Sequence, residues 1–138
     1  MKKNSLGVPA LIVFFAALLA LAAEWKEKRV EAVVAEDGVQ RVEILAGGYY
    51  YDPNTIVVKV NVPVELVVRR TRGGFGHNIV LKEPEAGIEF EQKLGTDPVA
   101  IKFTPTRVGK YMFICSHKVP FSKSHQERGM YGYLEVVE

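Results

Sequence analysis

Apolar and polar positions alternate in short runs along most of the chain, and turn residues separate the runs. From Val39 to Leu45, the set Val39, Arg41 and Glu43 alternates with Gln40, Val42 and Ile44. A period of two is the mark of a strand with one face buried. Tyr49, Tyr50 and Tyr51 follow a Gly47-Gly48 turn, and Asp52-Pro53-Asn54 makes the next turn. Thr55 to Val60 is rich in β-branched residues and reads as a strand, as does Val64 to Arg69 after Pro63. Arg72 to Gly76 is a loop, and His77 to Leu81 is a short strand. Lys82 to Gly95 is polar and reads as a long excursion. Ala100 to Phe103 and Gly109 to Cys115 are strands, the second with Tyr111, Phe113 and Cys115 on one face. Ser116 to Gly129 is a long loop, and Tyr131 to Val137 is the last strand. About seven or eight short strands at regular spacing predict an all-β protein, a β-sandwich of Greek-key type.

The first residues break this pattern. Asn4 to Ala23 carry no charge, with Lys2 and Lys3 before them and Glu24, Lys26 and Glu27 after. A basic start followed by an apolar run is the export pattern. Residues 1–23 are therefore expected to be one hydrophobic helix, either a membrane anchor or a signal peptide cut near Ala20-Leu21-Ala22. The run reaches the roughly 20 residues that a span requires and exceeds a usual signal core of about 7–15. The rest of the chain is expected on the periplasmic side of the inner membrane, anchored there, or soluble if the segment is cleaved. Residues 24–38 read as a charged linker and 39–138 as the folded domain.

Charge adds little. The formal net charge is +2, and the cluster Arg69, Arg70 and Arg72 is too short for a nucleic-acid groove. The single cysteine excludes an intramolecular disulfide.

That cysteine belongs to a more informative set. His117, His125 and Met130 follow Cys115 in the last quarter, and His77 precedes it at the start of a strand. A site cycling between Cu(I) and Cu(II) needs a soft thiolate, imidazoles that suit both states, and a weak axial thioether. Two His, one Cys and one Met meet that need. One loop can supply three ligands, and His77 is the one His outside it. Zinc is a poor match, because Met is not among its usual ligands. His117 lies two residues from Cys115, too close on an extended segment for both to reach one metal without a sharp turn.

Three segments resemble the cupredoxin family, in the family's order. Phe75-Gly-His77-Asn78-Ile-Val80 is similar to its first-His segment. Gly109-Lys-Tyr-Met-Phe-Ile-Cys115 resembles the strand entering its ligand loop. His125-Gln-Glu-Arg-Gly-Met130-Tyr-Gly132 looks like the end of a plastocyanin-type site. The resemblance implies a type 1 copper site of His77, Cys115, His125 and Met130, with His125 preferred over His117 for its spacing to Met130. It also implies that Asn78 ties the first-His segment to the Cys loop, here through Ser116. The nine residues between Cys115 and His125 depart from plastocyanin-like loops. Longer loops occur in the copper domain of nitrite reductases and in a periplasmic cupredoxin associated with cytochrome c oxidase.

The function so implied is electron transfer in a respiratory chain, with cytochrome c or a cytochrome oxidase subunit as redox partner. No enzyme activity and no small-molecule substrate are expected. Copper delivery or storage is the alternative. Pro120, Phe121 and Tyr131 are expected to surround an exposed edge of His125, with Lys118, Lys123 and Arg128 steering an acidic partner.

Overall fold

A computed structural model describes residues 24–138. The anchor or signal reading of 4–23, with its expected helix, lies outside the described residues. Among the described residues no helix is long and apolar enough to cross a membrane.

The described chain forms ten strands: β1 (Arg29–Glu31), β2 (Gln40–Gly47), β3 (Tyr50–Asp52), β4 (Thr55–Lys59), β5 (Val64–Arg70), β6 (His77–Glu83), β7 (Ile88–Leu94), β8 (Val99–Phe103), β9 (Gly109–Ile114) and β10 (Tyr131–Val137). A six-stranded sheet has the order β1-β4-β10-β9-β6-β7, and a four-stranded sheet the order β3-β2-β5-β8. The expected all-β sandwich is what forms. Many neighbours within a sheet are not consecutive in the chain, as Greek-key connections require.

The core lies between the sheets and follows the period-two pattern. Val42, Ile44 and Ala46 of β2 face Ile79 and Leu81 of β6 and Leu134 and Val136 of β10 within one buried cluster. Each such Val, Leu or Ile contributes about 1.5–3 kcal/mol by leaving water. Gln40 stands on the apolar face yet is fully buried. Its amide donates to the carbonyls of Lys59 and Val62, and its Oε1 accepts from the Lys59 N–H at 2.7 Å. A buried polar group is tolerated because every partner is present.

Two readings of the sequence need correction. Lys82 to Gly95 is not an excursion. After a 3-10 turn at Pro84–Ala86 it forms β7, paired with β6 from Glu83↔Ile88 to His77↔Leu94. Ile88, Phe90 and Leu94 are buried while Glu89, Glu91 and Lys93 are exposed. The charges on the outer face mask an alternation that the inner face keeps. Gly87 makes the turn possible, because its φ is +73° and a Cβ would stand 2.5 Å from the Thr104 carbonyl.

Nor is 24–38 simply a linker. β1 adds to the sheet edge beside β4 in parallel. The Asn54 side chain accepts from the Lys28 N–H at 2.7 Å and donates to the Lys26 carbonyl at 2.8 Å. The Trp25 ring stacks on Tyr131 at 5.5 Å, and its indole N–H donates to the Tyr131 carbonyl. This arm carries too few apolar residues to announce itself. It is held by these contacts, by the Lys28–Asp52 and Arg29–Glu135 ion pairs, and by Val30 and Ala32 packed against the core.

Candidate metal centre

Three strand ends meet at one end of the six-stranded sheet. β6 begins with His77, β9 ends one residue before Cys115, and β10 begins one residue after Met130. The antiparallel β9–β10 ladder places Tyr131 opposite Ile114, so Met130 and Cys115 stand just beyond it. The Cys115 N–H donates to the Met130 carbonyl at 3.1 Å. The bridge Val80↔Ile114 aligns β6 with β9 and brings Asn78 opposite Ser116. There the Asn78 amide donates to Ser116 Oγ and its Oδ1 accepts from the Ser116 N–H, both at 2.8 Å. This is the tie that the family resemblance implies.

The donor atoms of His77, Cys115 and His125 lie within 4.8 Å of one another, and all three residues are buried. His77 Nδ1 is 3.1 Å from His125 Nδ1. Cys115 Sγ is 4.0 Å from the first and 3.5 Å from the second. A point in the plane of these three atoms, about 2.0 Å from each nitrogen, is about 2.2 Å from Sγ; both are ordinary metal–ligand distances for imidazole and thiolate. The three donors therefore fit one ion. A trigonal His2Cys set with a weak axial thioether is the arrangement that suits copper rather than tetrahedral zinc. Met130 is fully buried in the same core cluster as Cys115, and its N–H donates to the His125 carbonyl at 2.9 Å. His117 is not in the donor cluster.

Electrostatics favour the ligating forms. Burial first, then the neighbouring positive charges of His125, Arg70 and His117, lowers the His77 pKa to about 4. His125 is lowered by burial and then by His117 and Arg128. Both imidazoles are thus neutral at pH 7, and a metal would displace no proton from a cationic ring. Two neutral nitrogens at 3.1 Å either share a proton or share a cation.

Several residues around the centre escaped the sequence reading. Tyr51 is fully buried on β3, in the opposite sheet, and its hydroxyl donates to the Asn78 carbonyl at 2.5 Å. Its pKa is raised well above the usual phenol range by burial, and further by the neighbouring Cys115 sulfur. Tyr49 packs edge-on against the His125 ring at 5.0 Å, with a backbone φ of +61° that is unusual for an aromatic residue. The run of three tyrosines was the available signal, but a run does not show which members turn inward.

The expected docking face also changes. His125 exposes little surface, being only 5% accessible. Tyr131 stacks on Trp25 instead of lying at the His125 rim. Arg128 donates to Ser122 Oγ at 3.0 Å and lies over the Tyr49 ring at 5.2 Å, so it fastens the loop as well as adding charge. Phe121 and Pro120 do face solvent.

No family model matches the sequence, and no curated protein matches it significantly. Solved structures share the fold. The metal-binding domain of the Cu(I)-exporting P-type ATPase CopA of Streptococcus pneumoniae D39 superposes with a TM-score of 0.62 at 24% identity, over 82% of this chain and 99% of that one. Dithionite-reduced auracyanin of the photosynthetic bacterium Roseiflexus castenholzii gives 0.57 at 22%, over 71% and 97%. The periplasmic domain of cytochrome oxidase subunit II (CoxB) of Bradyrhizobium japonicum gives 0.56 at 17%, over 71% and 83%. The fold is that of the cupredoxins.

Proposed function

We propose that this chain, built on the cupredoxin fold, is a mononuclear copper electron-transfer protein. The observation that carries the reading is the buried convergence of His77 Nδ1, His125 Nδ1 and Cys115 Sγ. Copper held there would supply one-electron chemistry between Cu(I) and Cu(II). The protein's own part is to present a thiolate and two neutral imidazoles and to keep them still. Asn78, Ser116 and Tyr51 hold the segments that bear them. Were Met130 to complete the donor set, all the ligands would come from the protein and no position would be left for a substrate. This supports a carrier rather than an enzyme.

The partners in this reading are redox proteins, a cytochrome c or an oxidase subunit, approached through the apolar and basic loop 116–124. Retention of residues 4–23 as an anchor would hold the domain at the periplasmic face of the membrane and raise its local concentration near membrane complexes. Copper delivery or storage is the second reading, favoured by the likeness to a Cu(I) exporter's metal-binding domain. Burial of all four candidate ligands supports retention of the metal rather than hand-off.

The optical and EPR spectra of the copper-loaded protein test this. An intense Cys-to-Cu(II) charge-transfer band that persists against a chelator is expected. His125→Ala should abolish or shift the band, and His117→Ala should leave it intact. A colourless Cu(II) form refutes the reading, and rapid loss of copper to the chelator favours delivery.

A further inference from the structure

In this fold the second imidazole of the site is carried by the loop between β9 and β10, and here that loop covers it. Four rings surround His125: His117 at 4.7 Å between centroids, Tyr49 and His77 at 5.0 Å each, and Phe75 at 6.4 Å. His77 is a buried candidate ligand, and Tyr49, half-buried, lies beneath the Arg128 guanidinium. His117 is the nearest ring and is half-buried, so part of it reaches solvent.

Its position is built rather than incidental. The His125 N–H donates to the His117 carbonyl at 2.9 Å. The ring lies close to Gly76, where a Cβ would stand in ordinary contact at 3.9 Å from His117 Cε1. Beyond His117 the loop turns through Val119 and Ser122, whose backbones are hydrogen-bonded. Phe121 sits at the apex, fully exposed with a φ of +61°. A bulky residue held in the left-handed region is strained and persists only where its surroundings fix it. Arg128 supplies part of that restraint through Ser122.

We propose that His117, a non-ligand, is the port through which electrons enter and leave the site, in place of the ligand His125. This inference rests on the electron-transfer reading above. An electron crosses a packed aromatic contact more readily than a gap or a water layer, and His117, the ring nearest His125 and partly open to solvent, offers such a contact. The imidazole itself is neither oxidised nor reduced. One electron leaves the reduced site of one protein and arrives at the oxidised site of the other; no bond forms and no proton moves. The exposed rim of Phe75, Val119 and Phe121, with Lys118, Lys123 and Arg128 outside it, fits a redox protein whose own centre lies in an apolar patch ringed by acidic residues.

Electron self-exchange tests the port with the protein as its own partner. Copper-loaded parent, His117→Ala and His117→Phe are compared at one pH and high salt, which screens the like-charged rims. NMR line broadening in mixtures of oxidised and reduced protein reads the rate. Optical and EPR spectra and metal-free thermal melts are recorded beside it. His117→Ala should keep the spectra and the melt while self-exchange falls by about ten-fold, within the one to three decades over which interface variants change bimolecular rates. His117→Phe should recover most of the rate. An unchanged rate in His117→Ala, or a rate in His117→Phe as low as in His117→Ala, overturns the proposal. Loss of the charge-transfer band in His117→Ala also overturns it, by making His117 a ligand. A parent protein that takes up copper without that band fails the electron-transfer reading itself, before the variants are made.

Discussion

The tie between Asn78 and Ser116 should hold the two ligand-bearing segments together even without metal. Asn78→Ala removes both of its 2.8 Å hydrogen bonds to Ser116. A neutral hydrogen bond contributes about 0.5–1.5 kcal/mol net. Both partners are partly open to water, which can satisfy the freed Ser116 N–H, so the loss should total about 1–2 kcal/mol. Ser116→Ala removes only the bond from the Asn78 amide to Oγ and leaves the backbone N–H on Oδ1, so it should cost about half as much. The double variant should cost no more than Asn78→Ala alone, because the Oγ bond is already gone. Urea unfolding of the metal-free protein measures all three, as a lower midpoint at unchanged slope. Losses that simply add in the double variant would show that the two residues do not act as a pair. An unchanged midpoint for Asn78→Ala would refute the tie altogether.

Three further outcomes follow from the same geometry. Tyr51→Phe keeps the ring packed at 5.2 Å from Phe113 but orphans the Asn78 carbonyl; it should cost about 1–2 kcal/mol in urea unfolding and shift the charge-transfer band of the copper form. Gly132→Ala should destabilise by at least about 1–3 kcal/mol, because its Cβ would stand 2.3 Å from Phe113 Cζ and 2.5 Å from the Asn54 carbonyl; a melt equal to the parent's would contradict the packing described. The metal-free protein should lose stability on mild acidification. His77 titrates near 4 when folded, whereas an unfolded His titrates near ~6.5. Its contribution is therefore complete above the unfolded value. As pH falls through the window towards the folded value, the unfolded chain takes up a proton that the native site refuses, and stability declines by up to about 1.4 kcal/mol per pH unit. Thermal melts that stay flat across that window would refute the burial of a neutral His77.

Much of the molecule is legible in its residue order. Period-two alternation in β2, β5, β9 and β10 identifies strands because a strand sends successive side chains to opposite faces, and one face must leave water. The ligand candidates are equally local. Cys115, His125 and Met130 are marked by spacing within one loop, and His77 by being the one His outside it.

Other features depended on long-range packing. β7 is hidden because its outward face is highly charged, and only pairing with β6 shows that Ile88, Phe90 and Leu94 share a buried side. β1 and the Trp25 arm are held by Asn54 and Tyr131, which are distant in the chain and leave no local pattern.

At the centre itself, the residue types and their spacing determined which donors were available. Only the tertiary structure decided that their atoms converge within 4.8 Å of one another, because that requires three strand ends from different parts of the chain to meet. It also decided what covers them. The nine residues between Cys115 and His125 show no local pattern that sets their conformation. Arg128 and the His125 backbone tie them over the site, so the ring nearest His125 is the half-buried His117 and not a ligand.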